Sequence, residues 1–161
     1  MVRATSRILP TLGIVVLFAL AGCGGTSGAT GAGQRSSSAA TATASPVVVV
    51  KTKTVTVDGK SQTVLADTNG KTLYYFVPDS SSKIACTGGC ASNWPPLLLP
   101  SGAPASATAL SGKLTVLDGP NGRQVLYNGH PLYGYSKDED AGDAYGQGVG
   151  GKWYVATPDL S

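Results

Sequence analysis

Cys86 and Cys90 stand four residues apart in Cys86-Thr-Gly-Gly-Cys90, a spacing that serves a disulfide, a dithiol redox pair or two metal ligands. Asp138, Glu139, Asp140 and Asp143 crowd one short stretch, and oxygen donors at that density are the kind that calcium takes. Their order breaks the alternation of a calcium-binding loop, so the stretch reads as a solvated acidic turn, with Asp138, Asp140 and Asp143 as the weak candidate metal ligands. His130 is the one histidine of the chain, which rules out a zinc site built on several. A Ser-His-Asp triad would have to use it, yet it lies in Asn128-Gly129-His130-Pro131, a turn that faces solvent. No serine occupies a Gly-x-Ser-x-Gly elbow, and no glycine loop leads from a strand into a helix to cradle phosphate. We therefore assign no catalytic residue. Asp79 and Asp138 close two aromatic runs and are expected to accept hydrogen bonds from nearby turn N–H groups.

The elements that must position these groups read as strands and turns. Val47 to Val57 is β-branched nearly throughout and ends at Asp58-Gly59, a tight-turn dipeptide. Thr63 to Ala66 and Thr72 to Val77 flank Asp67-Thr-Asn-Gly70, which predicts a second hairpin. Leu114 to Leu117, Gln124 to Tyr127 and Lys152 to Ala156 complete the strands, and a short helical turn after Cys86 ends before Pro95-Pro96. Pro100 to Ser111 carries prolines, serines and no charge, and reads as a loop bridging two halves. The class is all-β.

Those halves are copies of one unit. Gly70-Lys-Thr-Leu73-Tyr74-Tyr75-Phe76-Val-Pro-Asp79 aligns with Gly129-His-Pro-Leu132-Tyr133-Gly-Tyr135-Ser-Lys-Asp138 at an offset of 59, and Trp94 and Trp153 share that offset. Between 70–94 and 129–153, seven of 25 positions are identical, where ordinary composition gives about two. We therefore expect two tandem hairpin-rich repeats, about 47–99 and 112–158, packed with pseudo-twofold character into one domain spanning 47–161. In a strand, Tyr74 and Phe76 share a face, as do Tyr133 and Tyr135. With Trp94 and Trp153 those faces are the predicted core, or an aromatic cleft for a flat ligand. In this ungapped alignment Tyr145 and Val149 fall opposite Cys86 and Cys90, so the unit does not require a bridge.

The amino-terminal segment is an address. Arg3 and Arg7 precede a mostly apolar run from Ile8 to Ala21, too short to span a bilayer, and the pattern is that of a secretory signal peptide over 1–22. Leu20-Ala21-Gly22-Cys23 resembles the lipobox of bacterial lipoproteins, which implies cleavage before Cys23 and a diacylglycerol on its sulfur. Cys23 and the Gly/Ala/Ser/Thr-rich stretch to Pro46 then form a flexible tether, spanning roughly 25–30 Å as a coil. Removing the two arginines of the signal leaves 10 basic against nine acidic residues, far from the basic stripe nucleic acid requires. In an oxidising compartment, with Cys23 lipidated, Cys86 and Cys90 are the one remaining pair, and a structural disulfide is the favoured reading over a redox or metal role.

Tyr74-x-Phe76-x-x-Asp79 and Tyr133-x-Tyr135-x-x-Asp138 both fit Y-x-(F/W/Y)-x-x-D. With Cys86-Thr-Gly-Gly-Cys90-Ala-Ser-Asn-Trp94-Pro95-Pro96-Leu97, Asn128-Gly129-His130-Pro131-Leu132-Tyr133 and Gly142-Asp143-x-x-Gly146-Gln147-Gly148, the chain resembles a family of bacterial lipoproteins built from a secreted repeat of unknown function. The likeness covers roughly residues 60 to 158; it departs at Ala141, where the family often has proline before the Gly-Asp pair. The resemblance implies a surface-anchored lipoprotein and supplies no catalytic residues. The expected function is a non-enzymatic binding or interaction module on the extracytoplasmic face of a bacterial membrane. Its partners are membrane lipid through Cys23 and an envelope protein or ligand, with no nucleic acid. The alternative is an envelope redox accessory using Cys86 and Cys90 or an aromatic-lined cofactor site. No cofactor is expected; calcium and a redox group stay open.

Overall fold

Lys51 to Val57 alternates threonines with lysines and then valines, and over its second half outward Thr54 and Thr56 oppose inward Val55 and Val57, as a half-buried strand needs. In the computed structural model, which describes residues 45–161, the segment belongs to strand β1 (Pro46–Val57). The signal segment 1–22, Cys23 and the tether up to residue 44 lie outside the described residues. Asp58 and Gly59 take positive φ of 49° and 75° and turn the chain into β2 (Lys60–Ala66), pairing Val57 with Lys60 and Lys51 with Ala66. Val55 and Val57 face the core, while Thr54 and Thr56 are exposed.

The second predicted hairpin forms only at its tip. Gly70 N–H donates to the Asp67 carbonyl (3.0 Å), and Ala66 bridges Thr72. Beyond that, β3 (Tyr74–Phe76) leaves β2 and pairs instead with β8 (Trp153–Val155), the last strand of the chain. Between them come the five-residue helix α1 (Gly89–Asn93), β4 (Ala103–Ser106), the meander β5 (Leu114–Gly119), β6 (Gly122–Tyr127) and β7 (His130–Pro131), and a 3₁₀ turn at Val149–Gly151. Two sequence readings need correction. Pro100–Ser111 contains β4, which pairs in parallel with the amino-terminal half of β1. Its prolines hid it, because a proline removes a donor but tolerates a sheet edge. His130 lies in β7, paired with Tyr127, rather than free in a turn.

The two repeats interlock rather than sit side by side. Tyr74 and Tyr133, equivalent residues, exchange backbone hydrogen bonds in both directions (2.8 and 3.0 Å). Around that pair each repeat lends its closing segment to the other. Ala156 N–H donates to the Leu73 carbonyl, and Leu97 N–H donates to the Leu132 carbonyl. Likewise Leu65 donates to Ala156 and Val125 to Leu97. The core has two parts. One collects Leu65, Leu73, Val125 and Leu132 with Val50, Leu99, Tyr127 and Ala156; the other is built on Tyr74, Trp94, Tyr133 and Trp153. Each such aliphatic side chain contributes about 1.5–3 kcal/mol on burial, and neither repeat could bury this set alone.

Candidate functional site

Four aromatic rings stand in one column: Phe76 from β3, Trp153 from β8, Trp94 at the end of α1 and Tyr135 beyond β7. Phe76 stacks on Trp153 (4.3 Å between ring centroids), Trp153 on Trp94 (3.8 Å, nearly parallel at 1°), and Trp94 on Tyr135 (4.1 Å). The rings alternate between the repeats, and the pseudo-twofold passes between the two tryptophans. Tyr74 meets Trp94 edge-on at 5.5 Å and Tyr133 meets Trp153 edge-on at 5.2 Å, so the flanks repeat the symmetry. Both arrangements suit the ring quadrupoles. The two tryptophans are buried, while Phe76 and Tyr135 at the ends are half-buried.

The motif carboxylates also cross between the repeats. Tyr74 O–H donates to Asp138 Oδ2, and Tyr133 O–H donates to Asp79 Oδ2, both at 2.6 Å. The tyrosine of each copy thus grips the aspartate of the other. The second carboxylate oxygens accept turn N–H groups as expected, Asp79 from Ala85 (2.7 Å) and Asp138 from Tyr145 (3.1 Å). The sequence reading anticipated these turn bonds and missed the exchange. The signal was present in the motif itself, since Tyr and Asp recur together in both copies, but spacing cannot say that they pair across repeats. Burial, and then the hydrogen bond to the partner carboxylate, push both phenols far above their ordinary value of 10.0. Burial likewise raises the Asp138 carboxyl, against the opposing pull of the Tyr74 hydroxyl and Tyr145 N–H.

The two copies part company in the loop after the aspartate. Asp79 is capped six residues on and Asp138 seven, which sets Ala85 opposite Tyr145 and Cys86 opposite Gly146. The ungapped match of Cys86 to Tyr145 is therefore one residue out here. Gly146 N–H donates to the Tyr74 hydroxyl (3.2 Å), and a Cβ at that position would come within 2.7 Å of the Tyr74 ring. Cys86 is fully buried and bonded to Cys90, with Cα atoms 5.2 Å apart, and the bridge ties down the amino end of α1. Among the described residues every buried side-chain nitrogen and oxygen has a hydrogen-bond partner.

The remaining candidates scatter. Asp143 Oδ2 accepts the N–H groups of Glu139 and Asp140 (3.0 and 2.9 Å), which folds the acidic stretch into a turn around its own backbone. Asp138 is turned inward and engaged as described, and among the described residues no group of three or more His, Cys, Asp or Glu is placed to hold a metal ion. His130 lies edge-on to Tyr75 at 5.2 Å.

What stays open is a cleft of about 280 Å³ on the seam between the repeats. Its walls are Lys71 and Leu73 from the first copy, Pro95 and Pro96 after the first tryptophan, and Gly134 and Tyr135 from the second copy. Tyr135 thus both ends the aromatic column and borders the cleft. Lys71 is held in place by the carbonyls of Asp138 (2.7 Å) and Glu139 (3.2 Å), which leaves one ammonium N–H uncommitted. A second, more polar groove of about 410 Å³ runs past Thr56, Asp58 and the exposed Tyr145.

A family model described as a secreted repeat of unknown function matches twice, over residues 55–98 and 115–157. These segments contain both motifs, both tryptophans and the disulfide, and their description places the repeat outside the cytoplasm. No curated protein and no solved structure matches the chain. With its two interlocked copies matched over more than half of its length, the chain belongs to the family of secreted repeats of unknown function.

Proposed function

We propose that this chain is a lipoprotein anchored through an acylated Cys23 to the extracytoplasmic face of a bacterial membrane. On this reading its folded domain is a non-enzymatic binding module. The observation that carries the reading is the division of labour among the side chains. Tyr74, Asp79, Tyr133 and Asp138 are engaged with one another in holding the repeats together, and the seam cleft beside Tyr135 is left as a preformed concave surface.

Two measurements test it. The mass of the mature amino-terminal peptide, taken from membranes, is expected to show a diacylglyceryl Cys23; an unmodified cysteine ends the anchoring half. For the binding half, a photo-crosslinking residue is placed at Ser136, in the cleft, and in a second variant at Lys60, at the far hairpin tip. A discrete envelope adduct from position 136 alone supports the module. Equal labelling from both positions, or from neither, removes it.

A second reading, an envelope redox accessory, draws on the Cys86–Cys90 disulfide packed beside the aromatic core. A Cys86→Ser, Cys90→Ser variant that folds and still performs the cellular role in full would dispose of that one.

A further inference from the structure

The aromatic column breaks off at Tyr135, and it does so at the edge of an opening. Three successive ring pairs hold centroid spacings of 3.8 to 4.3 Å, so the stacking geometry is already set for a further flat ring. The cleft volume of about 280 Å³ lies just below the range that holds drug-sized ligands, which selects one or two fused rings over anything larger. Pro95 and Pro96 supply a wall with fixed φ and no backbone N–H to satisfy. Lys71, braced by two carbonyls, lines the same space with one ammonium N–H uncommitted. The carboxylates bordering the cleft are already engaged: Asp67 Oδ1 accepts from Lys71 N–H (2.9 Å), and both Asp138 oxygens have donors.

We propose that the cleft binds a planar aromatic ring bearing carbonyl oxygens, of the quinone class, stacked against Tyr135 as a fifth member of the column and hydrogen-bonded to Lys71. The ring meets an aromatic face and the carbonyl meets the spare ammonium donor, with the Ser136 hydroxyl a second donor on the lining. This deepens the binding-module reading and rests on it. It fixes the ligand chemistry while leaving two sources, a soluble quinone or the headgroup of a membrane isoprenoid quinone.

The test is equilibrium dialysis of the full mature chain, in mild detergent micelles, against 2-methyl-1,4-naphthoquinone. Its hydrocarbon counterpart 2-methylnaphthalene serves as the comparator, and an isoprenoid menaquinone in the same micelles is the second arm. Saturable one-to-one binding of the quinone is expected, with the hydrocarbon weaker. Loss of the stacking partner in Tyr135→Ala is expected to weaken binding about tenfold, and Lys71→Met by several-fold. Gly134→Val adds bulk to the cleft lining, where a Cβ would meet only the Pro95 carbonyl at 3.9 Å, so it keeps the test decisive if Tyr135→Ala fails to fold. Phe76→Leu, at the opposite end of the column, is expected to leave binding unchanged. Tighter binding of the isoprenoid form assigns the membrane source, and equal binding the soluble one. No saturable binding, equal binding of the hydrocarbon, or a Phe76→Leu loss matching that of Tyr135→Ala overturns the proposal. A specific adduct from position 136 without quinone binding would leave the binding module standing and end this inference alone.

Discussion

The first repeat closes its aspartate loop with sulfur and the second closes it with glycine. After Asp79 the chain packs Cys86 inward, bonds it to Cys90 and starts a helical turn. After Asp138 it makes an acidic turn one residue longer, brings Gly146 flush against the Tyr74 ring, and ends in a 3₁₀ turn. What the copies share is the set of groups that cross between them: the tyrosine, the aspartate, the tryptophan and the outer ring. The comparison separates two layers of the motif. Contacts between repeats are held to one geometry, while each loop needs only to fill the space beside the neighbour's tyrosine.

The sharpest way to break this comparison is to remove a tryptophan. Trp153→Ala and Trp94→Ala are each expected to cost about 3–5 kcal/mol in urea unfolding. If the column is symmetric in energy as in shape, the two losses agree; a clear difference would mean that one repeat carries the core. Next come the crossing hydrogen bonds. Tyr74→Phe strips the more deeply buried Asp138 of a donor and deprives Gly146 N–H of an acceptor, for about 1–3 kcal/mol. Tyr133→Phe should fall below it, because Asp79 is the less deeply buried carboxylate. A double-mutant cycle of Tyr74→Phe with Asp138→Asn is expected to show strong coupling, whereas Tyr74→Phe with Asp79→Asn should come closer to additivity.

Reducing the disulfide tests the loop layer alone. Its closed loop is short, so Cys86→Ser with Cys90→Ser should cost about 2 kcal/mol and leave the near-ultraviolet circular dichroism of the stacked tryptophans in place. Collapse of that signal would tie the two layers together. The smallest effect is in pH. Both phenols ionise later in the folded chain than in the unfolded one, so their contribution is complete below pH 10 and is lost as the pH climbs beyond it. About 1 kcal/mol per tyrosine should be gone one pH unit above 10, read by unfolding midpoints with phenolate absorbance. Asp138 shifts in the same upward direction, so its contribution is held at low pH and declines as the carboxyl ionises; acidification should not weaken the fold through it.

Much of this was legible from residue types. The hairpin at Asp58-Gly59, the strands on either side of Asn121 and the cysteine pair follow from patterns within a few residues of one another, and the duplicated unit and its aromatic core from one motif recurring at an offset of 59. The misses share a cause. β3 abandons its predicted neighbour for β8, more than seventy residues away, because its Tyr-x-Phe face is satisfied by the other repeat's tryptophan rather than by β2. β4 carries no alternation of its own and becomes a strand only because β1 offers it an edge. The cleft was invisible for the same reason, being assembled from Lys71, Pro95 and Tyr135, which meet only after the repeats exchange segments.

That exchange has a bearing on ancestry. A polypeptide encoding one copy would own a tyrosine with no carboxylate to accept its hydrogen bond, an aspartate with no phenol, and a tryptophan with one face bare. A second molecule of the same kind, related by a twofold axis, supplies all three at once. Joining two such units through a linker like residues 100–111 turns a concentration-dependent association into an intramolecular one, at an effective concentration in the millimolar range. Once fused, the halves are released from being identical, and one can take up a disulfide while the other closes its loop with glycine.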